Sequence, residues 1–361
     1  MKILYVNGKF LSQPVTGVQR FAAGVLDSWD ADLREGLIDA SKYSIQVIAP
    51  KTERAFPAYQ KISIVPSFSG GRLWEQVELP FRSRGSVLFS PYAAAPLIKA
   101  RHVVTIHDAG MAATPEQYNF TFRKFYSGAY RWFGQFAAAI TTVSEFSKLE
   151  LHRYFSIPLD KMTVIAPGAD HLMKVPAERA VLNRFSLTPG QFVLGVSSRS
   201  PIKNFDGLAR AWNMIKRPGM KLAIAGMQNS QVFRTQTSMS EEEVSWLGYV
   251  SDGELRSLYE NAALFAYPSL YEGFGYPPVE AMSCGCPVVV SGSSALPETC
   301  GKAALYCDPH CVEDIAEKIV SVLDNPALAQ ELRDLGRQRA AEFSPRANSR
   351  KIWQKIQEYL G

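Results

Sequence analysis

Residues 264–291 read LFAYPSLYEGFGYPPVEAMSCGCPVVVS. LFAYPS is an apolar run of strand length and composition, VEAMSCG reads as a short helix, and CPVVVS reads as a second strand. Pro277 and Pro278 suit a helix start, where the missing N–H of proline costs nothing. Gly285 suits its end, because glycine accepts the left-handed conformation that closes a helix. Glu280 is therefore expected in the first helical turn and Glu272 in the loop that leaves the strand. Both fall at the C-terminal edge of a sheet, beside the positive end of a helix. In open α/β sheets ligands bind there.

The same alternation runs outward in both directions. KILYVNG reads as a strand, and residues 17–29 as a helix with an apolar stripe at Val18, Phe21, Ala22, Val25, Leu26 and Trp29. SIQVIAP, SVLFSP, HVVTIHD, AITTVS and MTVIAPG follow as strands, and Ser144 is placed to cap EFSKLELHRYF. Residues 175–191 read as a linker. Beyond it come FVLGVSS, a helix at 205–215, KLAIAG, SWLGYV and the helix DGELRSLYENA. Alternating β and α elements predict parallel sheets covered by helices. The fold class is α/β, with two Rossmann-like, doubly wound domains. The expected boundaries are 1–175 plus 345–361 for the first and 176–344 for the second, the helix at 346–360 crossing back onto the first.

Composition fits a soluble two-domain protein: 361 residues and 40.0 kDa, 47% hydrophobic and 20% charged. No uncharged apolar stretch approaches the roughly 18 residues of a spanning helix. Ile3 to Val6 is too short for the apolar core of a signal peptide. A cytoplasmic location is expected. The five cysteines, Cys284, Cys286, Cys300, Cys307 and Cys311, are odd in number and lack zinc-site spacing, so reduced thiols packed as small apolar residues are expected. The net charge of +5 is unevenly placed. Lys and Arg outnumber Asp and Glu by 20 to 14 over residues 1–175, and trail by 19 to 20 over 176–361. This excess, without a nucleic-acid motif, does not point to nucleic acid.

Several loops offer chemistry. Gly17, in Thr16-Gly17-Val18-Gln19, lets the backbone approach a ligand where free N–H groups can take an anion. Without G-x-G-x-x-G spacing, a dinucleotide-binding dehydrogenase is disfavoured. His107-Asp108 is a polar pair at the end of a buried strand. Arg199-Ser-Pro-Ile-Lys203-Asn204 puts two cations on one strand-to-helix loop, where a planar guanidinium and a point-charge ammonium can neutralise a diphosphate. Asp30-Ala-Asp32 trails a helix rather than ending a strand, so it reads as solvated surface. No metal cluster is evident.

These residues carry a resemblance. The block E-G-F-G-x-P-x-x-E-A-M-x-x-G-x-P-V-V from Glu272 to Val289 resembles the signature of the family 4 retaining glycosyltransferases. So do TGVQRF near the N-terminus, RLWEQVELP at 72–80, TIHD at 105–108, TVSEFSK at 142–148 and SPIKN at 200–204. The resemblance implies the GT-B fold, two Rossmann-like domains with a sugar nucleotide in the cleft between them. It implies that Glu280 binds the ribose hydroxyls, and that Glu272 with the backbone at Gly273, Phe274 and Gly275 holds the transferred sugar. Lys203 would neutralise the donor diphosphate, Gly17 would approach it, and His107 would contact the sugar near the reacting carbon. The arginine that many members carry five residues before the lysine is Ser198 here, with Arg199 one place later. Members sharing TGVQR and TIHD often use GDP-mannose, which makes it the favoured donor, with UDP- or dTDP-sugars as the alternative.

The chemistry suits these groups. Transfer from a sugar nucleotide builds positive charge on the anomeric carbon and negative charge on the leaving diphosphate. Preorganised cations and helix N-termini stabilise the leaving charge, and a carboxylate across the sugar orients the ring. Neither a cofactor nor a metal is required. A glycosidase also uses paired carboxylates but has no need of Lys203 on such a loop. A mere binder could dispense with His107 and Glu272. The expected acceptor is a glycan or a polyprenyl-diphosphate-linked glycan of bacterial surface polysaccharide. In residues 120–140, Phe122, Phe125, Tyr126, Ala129, Tyr130, Phe133 and Ile140 form the expected core stripe, and Arg123, Lys124, Arg131 and Trp132 the opposite face. That face suits solvent or a peripheral contact with the inner face of an anionic membrane; both readings stand.

Overall fold

The computed structural model describes residues 1–52, 55–71, 74–196, 200–215, 217–226 and 244–360. The chain divides into two compact units. One comprises Met1–Ala109, Lys124–Gly168 and Ser344–Gly361, the other Gly110–Arg123 and Ala169–Phe343.

The first unit is built on a seven-stranded sheet: β1 (Lys2–Asn7), β2 (Tyr43–Ala49), β3 (Ser63–Pro66), β4 (Val87–Ser90), β5 (His102–Thr105), β6 (Ala139–Thr142) and β7 (Met162–Val164). Their order is β3-β2-β1-β4-β5-β6-β7 and the pairings are parallel. Every residue of β4, β5 and β6 is buried, as strands covered on both faces must be. The helix Gly17–Arg34 sets Phe21, Ala22, Val25, Leu26 and Trp29 into the core. Its predicted stripe is right except that Val18 is only half-buried.

The helix Pro345–Leu360 completes this core with Ile352, Trp353 and Ile356. Trp29 donates from Nε1 to the Ser349 carbonyl at 3.0 Å and stands edge-on to Trp353, with ring centres 5.7 Å apart. Gly168 is required where this helix begins, since a Cβ there would lie 2.2 Å from the Pro345 ring. Asp30 and Asp32, expected on a solvated surface, are buried at 5% and 1% exposure. Their helix is longer than its apolar stripe suggested, and its last turns lie beneath other segments. Asp30 accepts from the backbone N–H of Lys61 and Ile62 at 2.7 and 3.2 Å. Asp32 accepts from Arg346 Nε at 2.7 Å and from Arg350 Nε and Nη2, both at 2.9 Å. Burial opposes its charge, but bonds and charge from Arg350 and Arg346 outweigh burial, and the carboxyl is held below its usual range.

The second unit has a six-stranded parallel sheet: β8 (Phe192–Val196), β9 (Lys221–Ala225), β10 (Ser245–Gly248), β11 (Leu264–Tyr267), β12 (Val288–Ser291) and β13 (Leu305–Cys307). Its order is β10-β9-β8-β11-β12-β13. The expected linker at 175–191 is partly core: a short helix, Ala180–Arg184, buries Val181 and Leu182, and Leu187 is buried beyond it. Five residues are too few for a helical period to stand out. All five cysteines are free thiols. Burial pushes Cys284, Cys300 and Cys307 up to about 12, which keeps these thiols protonated and inert.

The helix Phe120–Phe136 departs from expectation. Within it only Ala129, Phe133 and Gly134 are buried. Phe125 is 49% exposed, and Ile140 is buried on β6 instead. The helix rests on its support through a narrower seam than its aromatic content suggested, so Phe125 shares the open face with Lys124, Arg131 and Trp132. Arg123 is half-buried and bonds the Pro115 carbonyl at 3.1 Å. No helix among the described residues is long and apolar enough to cross a membrane.

Candidate active site

The order of the second sheet reverses direction beside β8, which has β9 on one side and β11 on the other. Loops leaving the two strands at such a switch point diverge and leave a crevice at their C-terminal ends. Lys203 stands on the loop after β8, and Glu272 on the loop after β11. The two loops are stitched together. Leu270 N–H bonds the Ile202 carbonyl at 2.7 Å, and Asn204, in the left-handed region at φ 55°, donates to the carbonyls of Pro268 and Pro309 at 3.1 and 2.6 Å.

Lys203 and Glu272 form an ion pair, Nζ to Oε1, at 2.6 Å. Lys203 also donates to the Tyr267 hydroxyl at 2.9 Å, and Glu272 Oε1 accepts from Ser269 Oγ at 2.7 Å. The Glu272 backbone N–H is held by Ser294 Oγ at 3.0 Å. An ammonium has three donors, and these contacts use two. Burial, and then the charges of Glu272 and Glu280, raise the Tyr267 hydroxyl far above the ordinary phenol value. Tyr267 therefore stays protonated, with both carboxylates in its field.

Glu280 lies on the helix Tyr276–Ser283, 5% exposed. The helix begins one residue before the two prolines, which moves Glu280 just beyond the first turn where it was expected. Gly275 caps that helix at φ 100°, and a Cβ there would meet Leu296 at 2.5 Å, so glycine is required. Glu280 Oε2 accepts from the Tyr259 hydroxyl at 3.3 Å. Its Oε1 stands 3.1 Å from His171 Nε2, a distance without hydrogen-bond alignment, and that buried nitrogen has no partner among the described residues. Phe274 is buried against Phe343, and its carbonyl accepts from Thr299 Oγ1 at 2.6 Å. Gly273 lies in the same loop. Arg199 lies outside the described residues.

In the first unit, Gly17 opens its helix, and the Gln19 side chain accepts from the Thr16 N–H at 3.1 Å. His107, two residues past β5, packs edge-on against Phe21 at 5.2 Å. Its Nε2 stands 3.1 Å from the Pro91 carbonyl; a carbonyl only accepts, so Nε2 carries the proton and Nδ1 is an acceptor when the ring is neutral. Burial pushes this imidazole down to about 4 against a small opposing pull from that carbonyl. His102, 1% exposed and 2.9 Å from Ser90 Oγ, is pushed down by burial to about 3.

Below an ordinary histidine value of about 6.5 the unfolded chain binds these protons, while the folded unit refuses them down to about 4 and about 3. Folding stability therefore falls as pH falls through that window. Between pH 7 and pH 5, His102 alone is expected to cost about 2 kcal/mol. Denaturant melts of the wild type and His102→Gln check this: the variant should show a smaller loss over the same interval.

Lys203 and Glu272 come together as a pair, a geometry the sequence did not announce. His171, Tyr259, Tyr267, Ser269 and Ser294 were missed. Tyr267 and Ser269 stand at the C-terminal edge of β11, where polar atoms are informative. His171 carries no local signal. Among the described residues no group of three or more His, Cys, Asp and Glu side chains could hold a metal ion.

A family model for "Glycosyl transferases group 1" matches residues 184–339, and one for "Glycosyltransferase Family 4" matches residues 31–171. The two parallel-sheet units match GT-B glycosyltransferase structures. Sucrose-phosphate synthase from Thermosynechococcus elongatus superposes with a TM-score of 0.77 at 17% identity, over 99% of each chain. The chain belongs to the family 4 glycosyltransferases. It is 33% identical over 254 residues to the O-antigen chain mannosyltransferase B of Escherichia coli, covering 68% of this chain and 67% of that protein. The serotype-specific mannosyltransferase WbdA of Escherichia coli is 31% identical over 258 residues, 67% of this chain but only 31% of WbdA.

Proposed function

We propose that this glycosyltransferase moves mannose from GDP-mannose to a glycan or polyprenyl-diphosphate-linked glycan in bacterial surface polysaccharide assembly, with retention of anomeric configuration and without a metal. The Lys203–Glu272 pair at the switch point of the second sheet carries the reading. It supplies one cation for a leaving diphosphate and one carboxylate for sugar hydroxyls. Both side chains are largely buried, 21% and 10% exposed, and are held in place, which is what electrostatic stabilisation requires. Glu280 takes the ribose hydroxyls, with the Tyr259 hydroxyl fixing its position. The backbone of Gly273, Phe274 and Gly275 holds the sugar beside Glu272. His107, a neutral ring at working pH, takes a sugar hydroxyl on Nδ1; Gly17 and Arg199 serve the diphosphate. The choice of mannose is supported by the Escherichia coli relatives, which are mannosyltransferases.

The experiment is a panel of GDP-, UDP- and dTDP-sugars, each incubated with acceptor in excess EDTA, with NMR of the product. An α-linked mannoside formed from GDP-mannose under chelation is the expected result. Rescue by magnesium or manganese would overturn the metal-free account, and a β linkage would overturn retention. Preference for a UDP- or dTDP-sugar would move the donor assignment and leave the site intact.

A further inference from the structure

We propose that His171 is a second residue of the nucleoside site, taking a hydroxyl of the nucleotide's ribose together with Glu280. The inference rests on the ribose role proposed for Glu280. Tyr259 occupies Glu280 Oε2 at 3.3 Å, so Oε1 is the oxygen beside His171, 3.1 Å from Nε2. That nitrogen is covered and has no hydrogen-bond partner among the described residues. A covered polar atom costs free energy unless a partner completes it. Glu280 Oε1 does not complete it, because the contact lacks alignment. A hydroxyl can serve both atoms, since it carries one proton to donate and lone pairs to accept. Lying against the pair, it donates to Oε1 and accepts from Nε2. The His171 side chain is 21% exposed, so the ring has an open edge, and a small turn brings Nε2 to the ligand.

One helix, Asp252–Asn261, anchors both groups. Its Tyr259 bonds Glu280. Its Arg256, paired with Glu260 at 2.7 Å, donates to the Val175 carbonyl at 2.8 Å, just beyond the short helix His171–Lys174. Leu172, fully buried in the core of the second unit, pins the same turn. The His171 ring also meets Tyr276, the first residue of the helix that carries Glu280, with ring centres 6.1 Å apart. Packing alone would explain a ring in this place. It would not explain a nitrogen set beside the carboxylate oxygen that Tyr259 leaves for the nucleotide.

The test is isothermal titration of GDP and UDP, and of their 2′-deoxy and 3′-deoxy forms, into the full chain and three variants. His171→Phe keeps a ring against Tyr276 and removes Nε2, His171→Gln restores a donor, and Glu280→Gln probes the carboxylate. The wild type is expected to prefer a ribonucleotide over at least one of its deoxy forms. His171→Phe should weaken that ribonucleotide about ten-fold, the scale of one hydrogen bond, and leave the disfavoured deoxy form unchanged. His171→Gln should recover most of the loss. The inference fails if His171→Phe binds the ribonucleotide as the wild type does. It also fails if ribo and deoxy forms weaken equally, the mark of a residue that only supports the fold. Discrimination lost in Glu280→Gln alone would leave the ribose role of Glu280 standing and remove that of His171. A wild type without discrimination, or a Glu280→Gln variant that discriminates as the wild type does, would overturn the ribose reading itself.

Discussion

Replacing Lys203 by alanine is expected to lower kcat/KM for the sugar nucleotide by about 10²–10³-fold, the usual scale for losing one preorganised group at developing charge. Glu272→Gln should lower kcat on a comparable scale, yet act oppositely on affinity for the free nucleoside diphosphate. Glu272 holds the Lys203 ammonium at 2.6 Å, so an incoming diphosphate has to share that cation. Removing the carboxylate charge frees it, and GDP binding should stay equal or tighten. Glu280→Ala should do the reverse, weakening GDP binding directly, because it removes the group proposed to hold the ribose. Residues in one network are not additive, so the Lys203→Ala, Glu272→Gln double variant should lose less than the product of the two single losses. Isothermal titration with GDP and steady-state kinetics read both quantities. Equal loss of GDP affinity in the Glu272 and Glu280 variants would end this division of labour.

Asp32→Ala is expected to destabilise the first unit by about 3 kcal/mol, because it removes a buried carboxylate that two arginines hold through directed bonds. Arg346 and Arg350 are the exposed partners, with side chains 38% and 44% exposed against 1% for Asp32. Substituting both arginines should therefore destabilise more than substituting Asp32. The arginines can turn to water when Asp32 is gone, whereas Asp32 cannot when they are. Denaturant melts of the three variants check the ranking. If the double arginine variant is the milder one, the carboxylate does not depend on them.

Much of this was legible in sequence because long-range order here is carried by local pattern. The apolar runs that end in Gly, Pro or His each became a strand leading into a loop at one edge. The helix at 205–215 has the expected bounds, and the helix after Ser144 begins where the Ser144 side chain accepts from the Ser147 N–H. What escaped had short or mixed signals. β3 is a four-residue strand with no fully buried position, so its alternation is invisible. Asp30 and Asp32 looked solvated because their partners are Lys61, Ile62, Arg346 and Arg350, the arginines more than 300 positions away. Phe125 was misplaced by one step around a helix in which nearly every turn offers an aromatic. At the site the residue types were readable. The pairing of Lys203 with Glu272 was not, since it depends on two loops with the helices Phe205–Ile215 and Asp252–Asn261 and the strands β9, β10 and β11 between them.

The position of Pro345–Leu360 has a consequence for how the protein is made. The face of the helix Gly17–Arg34 that carries Trp29 and Asp32 emerges from the ribosome early, but its cover emerges only after all of the second unit. At elongation rates of about 5–20 residues per second, the interval from Gly168 to Pro345 lasts about 10 to 35 s. During that time the nascent first unit presents an open tryptophan and an uncompensated carboxylate. A chaperone that shields apolar surface has a natural substrate in that interval. A chain stalled after Phe343 would hold a finished second sheet beside a first one still waiting for its last helix.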